Sequence, residues 1–200
     1  MKNKIKWVLF DLTGVISTWS FRSKKWKIIN NKKYKERDFE TIYFESNYSA
    51  YERGKIQHKE FVESYLLKNN DVFTLDEFVE IFKRSVTPVR GIENILKKLK
   101  KNYKLAILSN EGIEWGNYKL DKSGLKRYFD KIIISSQIGF AKPDLKFYKK
   151  SLKLLNIEPK SCVFIDDLEE NINAAEKLGI KSILFKNPHQ LQKDLNKYLD

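Results

Sequence analysis

Trp7-Val8-Leu9-Phe10-Asp11-Leu12-Thr13-Gly14 and Cys162-Val163-Phe164-Ile165-Asp166-Asp167 are two short apolar runs that each end in carboxylates. Runs so brief and so continuously apolar read as strands covered on both faces, as in a parallel sheet. The strand candidates are residues 6–11, 105–109, 131–135, 162–166 and 182–185. Amphipathic stretches lie between them. Ile92, Ile95, Leu96 and Leu99 make one stripe; Phe147, Leu152, Leu154 and Leu155 contribute to another, opened by Pro143. Ala174, Ala175 and Leu178 form a third, with Gly179 placed for its C-cap. This alternation predicts an α/β fold, a Rossmann-like parallel sheet core with helices on both faces.

Residues 17–88 interrupt the alternation, with no convincing buried parallel strand. Helices are expected over 58–68, with Phe61, Tyr65 and Leu66 on one face, and over 75–84, with Phe78, Ile81 and Phe82. The chain therefore divides into a core, 1–16 and 89–200, and a helical insertion, 17–88, returning through 86–91. Trp19, Trp26, Tyr48 and Tyr51 are expected to build the insertion's own small core. Glu52 and Arg53 follow as candidates to face a ligand, and Trp115, in a loop after Ser109-Asn110, as a pocket wall.

The 42% hydrophobic content of 200 residues supports a substantial interior. A single cysteine excludes an internal disulfide framework; within its apolar run Cys162 reads as an inert core thiol, and a reducing cytoplasm is the expected compartment. No apolar run approaches the roughly 18 residues of a membrane span. The basic N-terminus is followed by only a short apolar stretch before Asp11, which argues against a signal peptide. The net charge of +13 is spread as lysines over nearly every expected helix, so no specific nucleic-acid partner is expected. His58 and His189 are too scattered for a histidine metal site and read as surface or capping residues.

In an open parallel sheet ligands bind at the carboxyl ends of the strands. Those ends carry Asp11-Leu12-Thr13-Gly14, Ser109-Asn110, the following Gly139-Phe140-Ala141-Lys142-Pro143 and Asp166-Asp167. Clustered carboxylates need a cation, and hard oxygen ligands suit Mg²⁺, which polarises phosphoryl oxygens. Asp11 can attack phosphorus to give an aspartyl-phosphate. Lys142 supplies a point charge for Asp11 and the phosphoryl oxygens, and Ser109 with nearby N–H groups can bind those oxygens.

Together these segments, with Asn171, Ala174-Ala175 and Leu178-Gly179, resemble the four motifs of haloacid dehalogenase-like phosphatases in the right order. Trp7 to Asp11 and Glu52-Arg53-Gly54-Lys55-Ile56 resemble the branch of sugar-phosphate phosphatases and the phosphatase domain of soluble epoxide hydrolases. The resemblance implies a small helical cap at 17–88 and a bound Mg²⁺. It makes Asp11 the nucleophile and a metal ligand, the Thr13 carbonyl a second ligand and Asp167 a direct ligand. Asp166 would act through metal-bound water, Ser109 and Asn110 would bind phosphate, and Lys142 would be the lysine of the third motif.

Thr13 departs from the pattern, which places an acid/base aspartate there. A threonine hydroxyl cannot transfer protons comparably near neutral pH, and the contribution at stake is about 10²–10⁴-fold in rate. Either the leaving group needs little protonation, or another residue supplies the acid, or turnover is slow or absent. The expected function is hydrolysis of a small phosphorylated metabolite by a monomer or homodimer without membrane partners. The alternative is a catalytically weak or inactive binding or regulatory protein. Metal-independent dehalogenation fits the Asp166-Asp167 pair less well.

Overall fold

The computed structural model describes residues 4–19, 27–29, 32–34, 47–69 and 74–199. In chain order the strands are β1 Trp7–Phe10, β2 Ser17–Trp19, β3 Lys27–Ile29, β4 Lys32–Tyr34, β5 Val86–Pro88, β6 Lys104–Ser109, β7 Lys131–Ile134, β8 Cys162–Asp166 and β9 Lys181–Leu184. The helices are α1 Tyr48–Tyr51, α2 His58–Asn69, α3 Leu75–Ser85, α4 Ile92–Leu99, α5 Ile113–Ser123, α6 Ser135–Ile138, α7 Leu145–Leu155, α8 Glu169–Glu176 and α9 Pro188–Leu195.

The five expected apolar strands form one parallel sheet in the order β7-β6-β1-β8-β9. Side chains alternate across a strand, so each run serves two cores. Val8, Phe10, Leu105, Ile107, Val163 and Ile165 meet α4, α5 and α9 on one face. Trp7, Leu9, Ala106, Leu108, Cys162 and Phe164 meet α7 and α8 on the other. Burial on both faces is why these strands carry no polar alternation.

The expected helix stripes hold with one exception. Ile92, Ile95, Leu96 and Leu99 are all buried, whereas Leu154 is 55% exposed. It falls off the face of α7 that Phe147, Leu152 and Leu155 share. Pro143 lies outside α7, whose N-cap is Asp144 accepting from the Lys146 N–H.

Between β1 and α4 the described residues include the expected helices α2 and α3. The latter is opened by a capping box of Thr74 and Glu77. They also include two antiparallel ribbons, β2 with β5 and β3 with β4. The first forms where the outgoing and returning chains run side by side and satisfy each other's backbone groups. Three-residue pairings leave no periodic trace in sequence, so they were not expected. Trp26, and the side chains of Trp19, Tyr65, Leu66 and Ile81, lie outside the described residues.

Tyr51, Phe61, Val62, Phe78, Phe82 and Val86 make a third cluster, completed by Trp115. Trp115 is thus no loop residue on a pocket wall. It sits buried on α5, its ring centroid 3.8 Å from that of Phe82. His58 is not a surface residue either: its half-buried ring lies 4.9 Å from Trp115. Among the described residues no helix is long and apolar enough to cross a membrane.

Burial pushes the Cys162 thiol up to about 12. Native protein at pH 8 is therefore expected to resist a thiol-alkylating reagent that labels the urea-unfolded chain fully. Rapid native labelling, followed by mass spectrometry, would contradict this packing.

Candidate active site

Parallel registration of β1 with β8 pairs Phe10 with Ile165, which brings the next residues, Asp11 and Asp166, to the same sheet edge. The Asp11 N–H still donates to the Ile165 carbonyl at 2.8 Å, so the nucleophile candidate is anchored by the ladder itself. Asp11, Asp166 and Asp167 offer carboxylate oxygens that all lie within 4.8 Å of one another. The Lys142 ammonium enters between two of them, 2.6 Å from Asp11 Oδ1 and 2.6 Å from Asp166 Oδ2. Asp166 is held further by the Asn171 side chain at 3.0 Å and the Leu168 N–H at 2.9 Å.

Gly14 makes this cluster possible. Its φ is +102°, and a Cβ there would sit 2.3 Å from a carboxylate oxygen of Asp167. The turn after β1, closed by the Gly14 N–H donating to the Ser17 carbonyl at 2.7 Å, thus lets Asp167 approach bare backbone.

The Asn110 side chain is engaged with the Lys142 loop. Its Nδ2 donates to the Lys142 carbonyl at 2.7 Å, and its Oδ1 accepts from the Lys142 N–H at 2.7 Å. This reciprocal pair fastens the Lys142 loop to the end of β6, so the side-chain amide positions the lysine. Ser109 is placed differently. Its hydroxyl is buried without a hydrogen-bond partner, at the strand end beside the carboxylates. Arg53 turns back onto Ser49, 3.0 Å from its carbonyl, and onto Glu52. Glu52 is buried, and that burial pushes its carboxyl up to about 7 against the pull of Arg53.

Burial likewise pushes the Asp11 carboxyl up to about 7; Lys142 opposes the rise, while Asp166 and Asp167 add to it. Burial also penalises the Lys142 ammonium, but the Asp11 and Asp166 carboxylates outweigh that and hold it above the ordinary lysine value. Lys142 is paired with two of the three clustered carboxylates, and a divalent cation with oxygen ligands would suit such a cluster.

Sequence reasoning missed a second buried pair. Lys119 on α5 is ion-paired with Glu111, and both are wholly buried. Lys119 Nζ also donates to Thr13 Oγ1 at 3.0 Å and lies 5.6 Å from the Phe82 ring centroid. Glu111 Oε1 accepts from the Gly112 N–H at 3.3 Å and faces the Tyr48 hydroxyl at 3.5 Å. Burial lowers the Lys119 pKa, with Glu111 and then Asp11 opposing. The available signal was spacing: 115 and 119 fall four apart on the stripe of α5 that buries Trp115, and Glu111 stands just before that helix. In a chain so rich in surface lysine, that position did not stand out.

The family model described as haloacid dehalogenase-like hydrolase matches residues 8–185. The chain is 29% identical to flavin mononucleotide hydrolase 1 of Arabidopsis thaliana over 147 residues, which are 73% of this chain and 59% of the plant protein. The chain thus spans less than two thirds of that relative's length. It is 30% identical to phosphoglycolate phosphatase of Aquifex aeolicus over 186 residues, 88% of this chain and 83% of that one. In fold it is similar to a haloacid dehalogenase family enzyme of Bacteroides thetaiotaomicron, crystallised with magnesium and inorganic phosphate. The TM-score is 0.74 at 22% identity, covering 92% of this chain and 95% of that one. With the nucleophile candidate and the paired aspartates at their strand ends and the buried lysine in the loop between α6 and α7, the chain belongs to the haloacid dehalogenase-like hydrolases.

Proposed function

We propose that this chain is a Mg²⁺-dependent phosphatase acting on a small phosphorylated metabolite through an aspartyl-phosphate. The observation that carries the reading is the Lys142 bridge between Asp11 and Asp166, beside Asp167 and the unpartnered Ser109 hydroxyl. Residues 17–88 would serve as the cap and exclude water from the transfer step. Cytoplasmic localisation remains the expectation from the single buried cysteine.

Asp11, Asp167 and the Thr13 carbonyl would hold the cation, with Asp166 behind them. When bound, Mg²⁺ would neutralise the carboxylates and polarise a phosphoryl oxygen. Lys142 keeps one Asp11 oxygen engaged and directs the other toward phosphorus. Ser109 would donate to a phosphoryl oxygen, a bond that strengthens as charge grows there. Asn110 keeps Lys142 in register with β6. The relatives' names support phosphate esters as the substrate class and leave the metabolite open. Thr13 in place of an acid/base carboxyl favours the second reading, a catalytically weak or inactive binding protein.

A panel of sugar phosphates, acyl phosphates and p-nitrophenyl phosphate, with Mg²⁺ or EDTA, tests the proposal. Phosphate release is expected to require the metal and to vanish in Asp11→Asn. No turnover of any donor, with metal binding intact, would favour the binding-protein reading.

The raised Asp11 carboxyl sets a stability expectation. A carboxyl near 3.8 unfolded and about 7 folded favours the fold most below the unfolded value, and that advantage is lost as pH rises through about 7. At pH 8 in EDTA, Asp11→Asn is therefore expected to raise Tm by about 2 °C or more, read by scanning calorimetry. Mg²⁺ should then stabilise the native chain more than the variant.

The same shift governs rate, since Asp11 attacks only when ionised. At limiting Mg²⁺, kcat/KM is expected to fall as pH drops through about 7, and saturating Mg²⁺ to move that limb to lower pH. A limb indifferent to Mg²⁺ would mean another group controls it.

A further inference from the structure

Away from the carboxylates, a cavity of about 220 Å³ opens beside α6, at the end of the edge strand β7. Strand β6 stands between β7 and β1, and none of Asp11, Ser109, Lys142, Asp166 or Asp167 lines the cavity. One wall is the chain from Tyr51 to His58, which joins α1 to α2. The other is the first turn of α5 and the start of α6. The walls meet at Gly54, where a Cβ would sit 2.3 Å from the Ser136 carbonyl oxygen.

The lining is unlike the rest of a chain of net charge +13. Among the described residues no lysine or arginine contributes to it. Nearby cations are turned elsewhere: Arg53 holds Ser49 and Glu52, Lys59 lies 3.7 Å from Glu63, and Lys55 is exposed. The one charged lining group is Glu114, whose Oε2 accepts from the Tyr51 hydroxyl at 3.0 Å. That is one bond of the roughly four a carboxylate can accept. Two more lining residues carry buried polar atoms with no hydrogen-bond partner, His58 Nε2 and Ser136 Oγ. Native interiors rarely leave such atoms unpaired, and an occupant can reach them through a rotamer step of either side chain. Burial lowers the His58 pKa against the pull of Glu114 and Glu111, so a neutral ring with a lone pair to offer is the form at pH 7.

An anion would meet Glu114 here with no fixed positive charge to compensate. A protonated amine meets the reverse. Carboxylate, imidazole lone pair and hydroxyl oxygen can all accept, and an ammonium has donors for each. Size sets a second condition, since a cavity of about 150 Å³ already holds a benzene ring. We propose that this cavity is a second binding site, for a small organic cation whose protonated amine is carried on a ring or short apolar chain. The amine would bond to Glu114, His58 and Ser136, and its apolar body would lie on Tyr51, Ile56 and Ile113. Because the walls come from both residues 17–88 and the core, the occupant fastens one to the other. The site takes the opposite charge from a phosphorylated substrate, and its occupancy is read without turnover. It therefore stands independently of the phosphatase reading.

Benzylamine, benzyl alcohol and benzoate share a ring and differ in charge at pH 7. Each is titrated into the full isotope-labelled chain and followed by its amide resonances. Benzylamine is expected to bind with a Kd below about 1 mM and to shift the amides of His58, Glu114 and Ser136. Benzyl alcohol should bind at least about tenfold more weakly, and benzoate should not bind. Glu114→Gln keeps an acceptor for Tyr51 but removes the charge, and should weaken benzylamine about tenfold while leaving benzyl alcohol unchanged. Ile113→Trp, at an exposed position, should block the cavity to both. If a variant does not fold, the three probes on the native chain decide alone. Equal binding of benzylamine and benzoate would overturn the proposal, as would no benzylamine binding up to about 10 mM. So would native affinity in Glu114→Gln, or shifts confined to Asp11, Asp166 and Asp167, which would put the cation among the clustered carboxylates.

Discussion

Two aspartates cannot share a dry sheet edge unless something positive lies between them, and Lys142 fills that position for Asp11 and Asp166. Adjacent parallel strands of matched register deliver both carboxylates to the same level, so the repulsion is built into the topology. The remaining features of the site answer this constraint. Asn110 spends its whole amide on the Lys142 backbone. Asn171 and the Leu168 N–H support the far side of Asp166. Gly14 leaves room for a third carboxylate, that of Asp167. The clustering of three carboxylates is then the reason a hard cation suits the site.

The sheet was legible because each of its strands is buried on both faces, which turns the strand into an uninterrupted apolar word bounded by polar residues. Asp11, Ser109 and Asp166 followed at once, since strand ends are where an open parallel sheet presents chemistry. Lys142 was legible only through its loop's likeness to a known motif. The engagement of the Asn110 side chain with the Lys142 loop was not legible, because an amide at a strand end reads the same whether it faces a ligand or a neighbouring loop. Leu154 was misplaced by a small angular error on α7. The β2–β5 and β3–β4 ribbons are too short for periodicity to register.

Lys119 and Glu111 mark a different limit. Charge type carries little information in a chain where lysine covers most helices, and burial of a charge is a property of tertiary contacts alone. Trp115 should have raised suspicion: a tryptophan four residues before a lysine on one helix shares its face, so burial of one implies partial burial of the other. Net charge was a poor guide for the same reason. The chain is strongly basic overall, yet three carboxylates cluster at the sheet edge.

Phe82 belongs to α3, within residues 17–88, but its ring packs at a tilt on Trp115 and covers the Lys119 ammonium, both on α5. That seam sets the local dielectric around the Lys119–Glu111 pair. With α3 seated, the pair interacts through a water-poor interior, where a few ångströms of charge separation matter. Were α3 to lift, water would reach the ammonium and screen it, and the grip on the Thr13 hydroxyl would slacken without any change in the sheet. The strength of an interaction at the end of β1 is thereby tied to how one aromatic ring from a distant part of the chain is shelved.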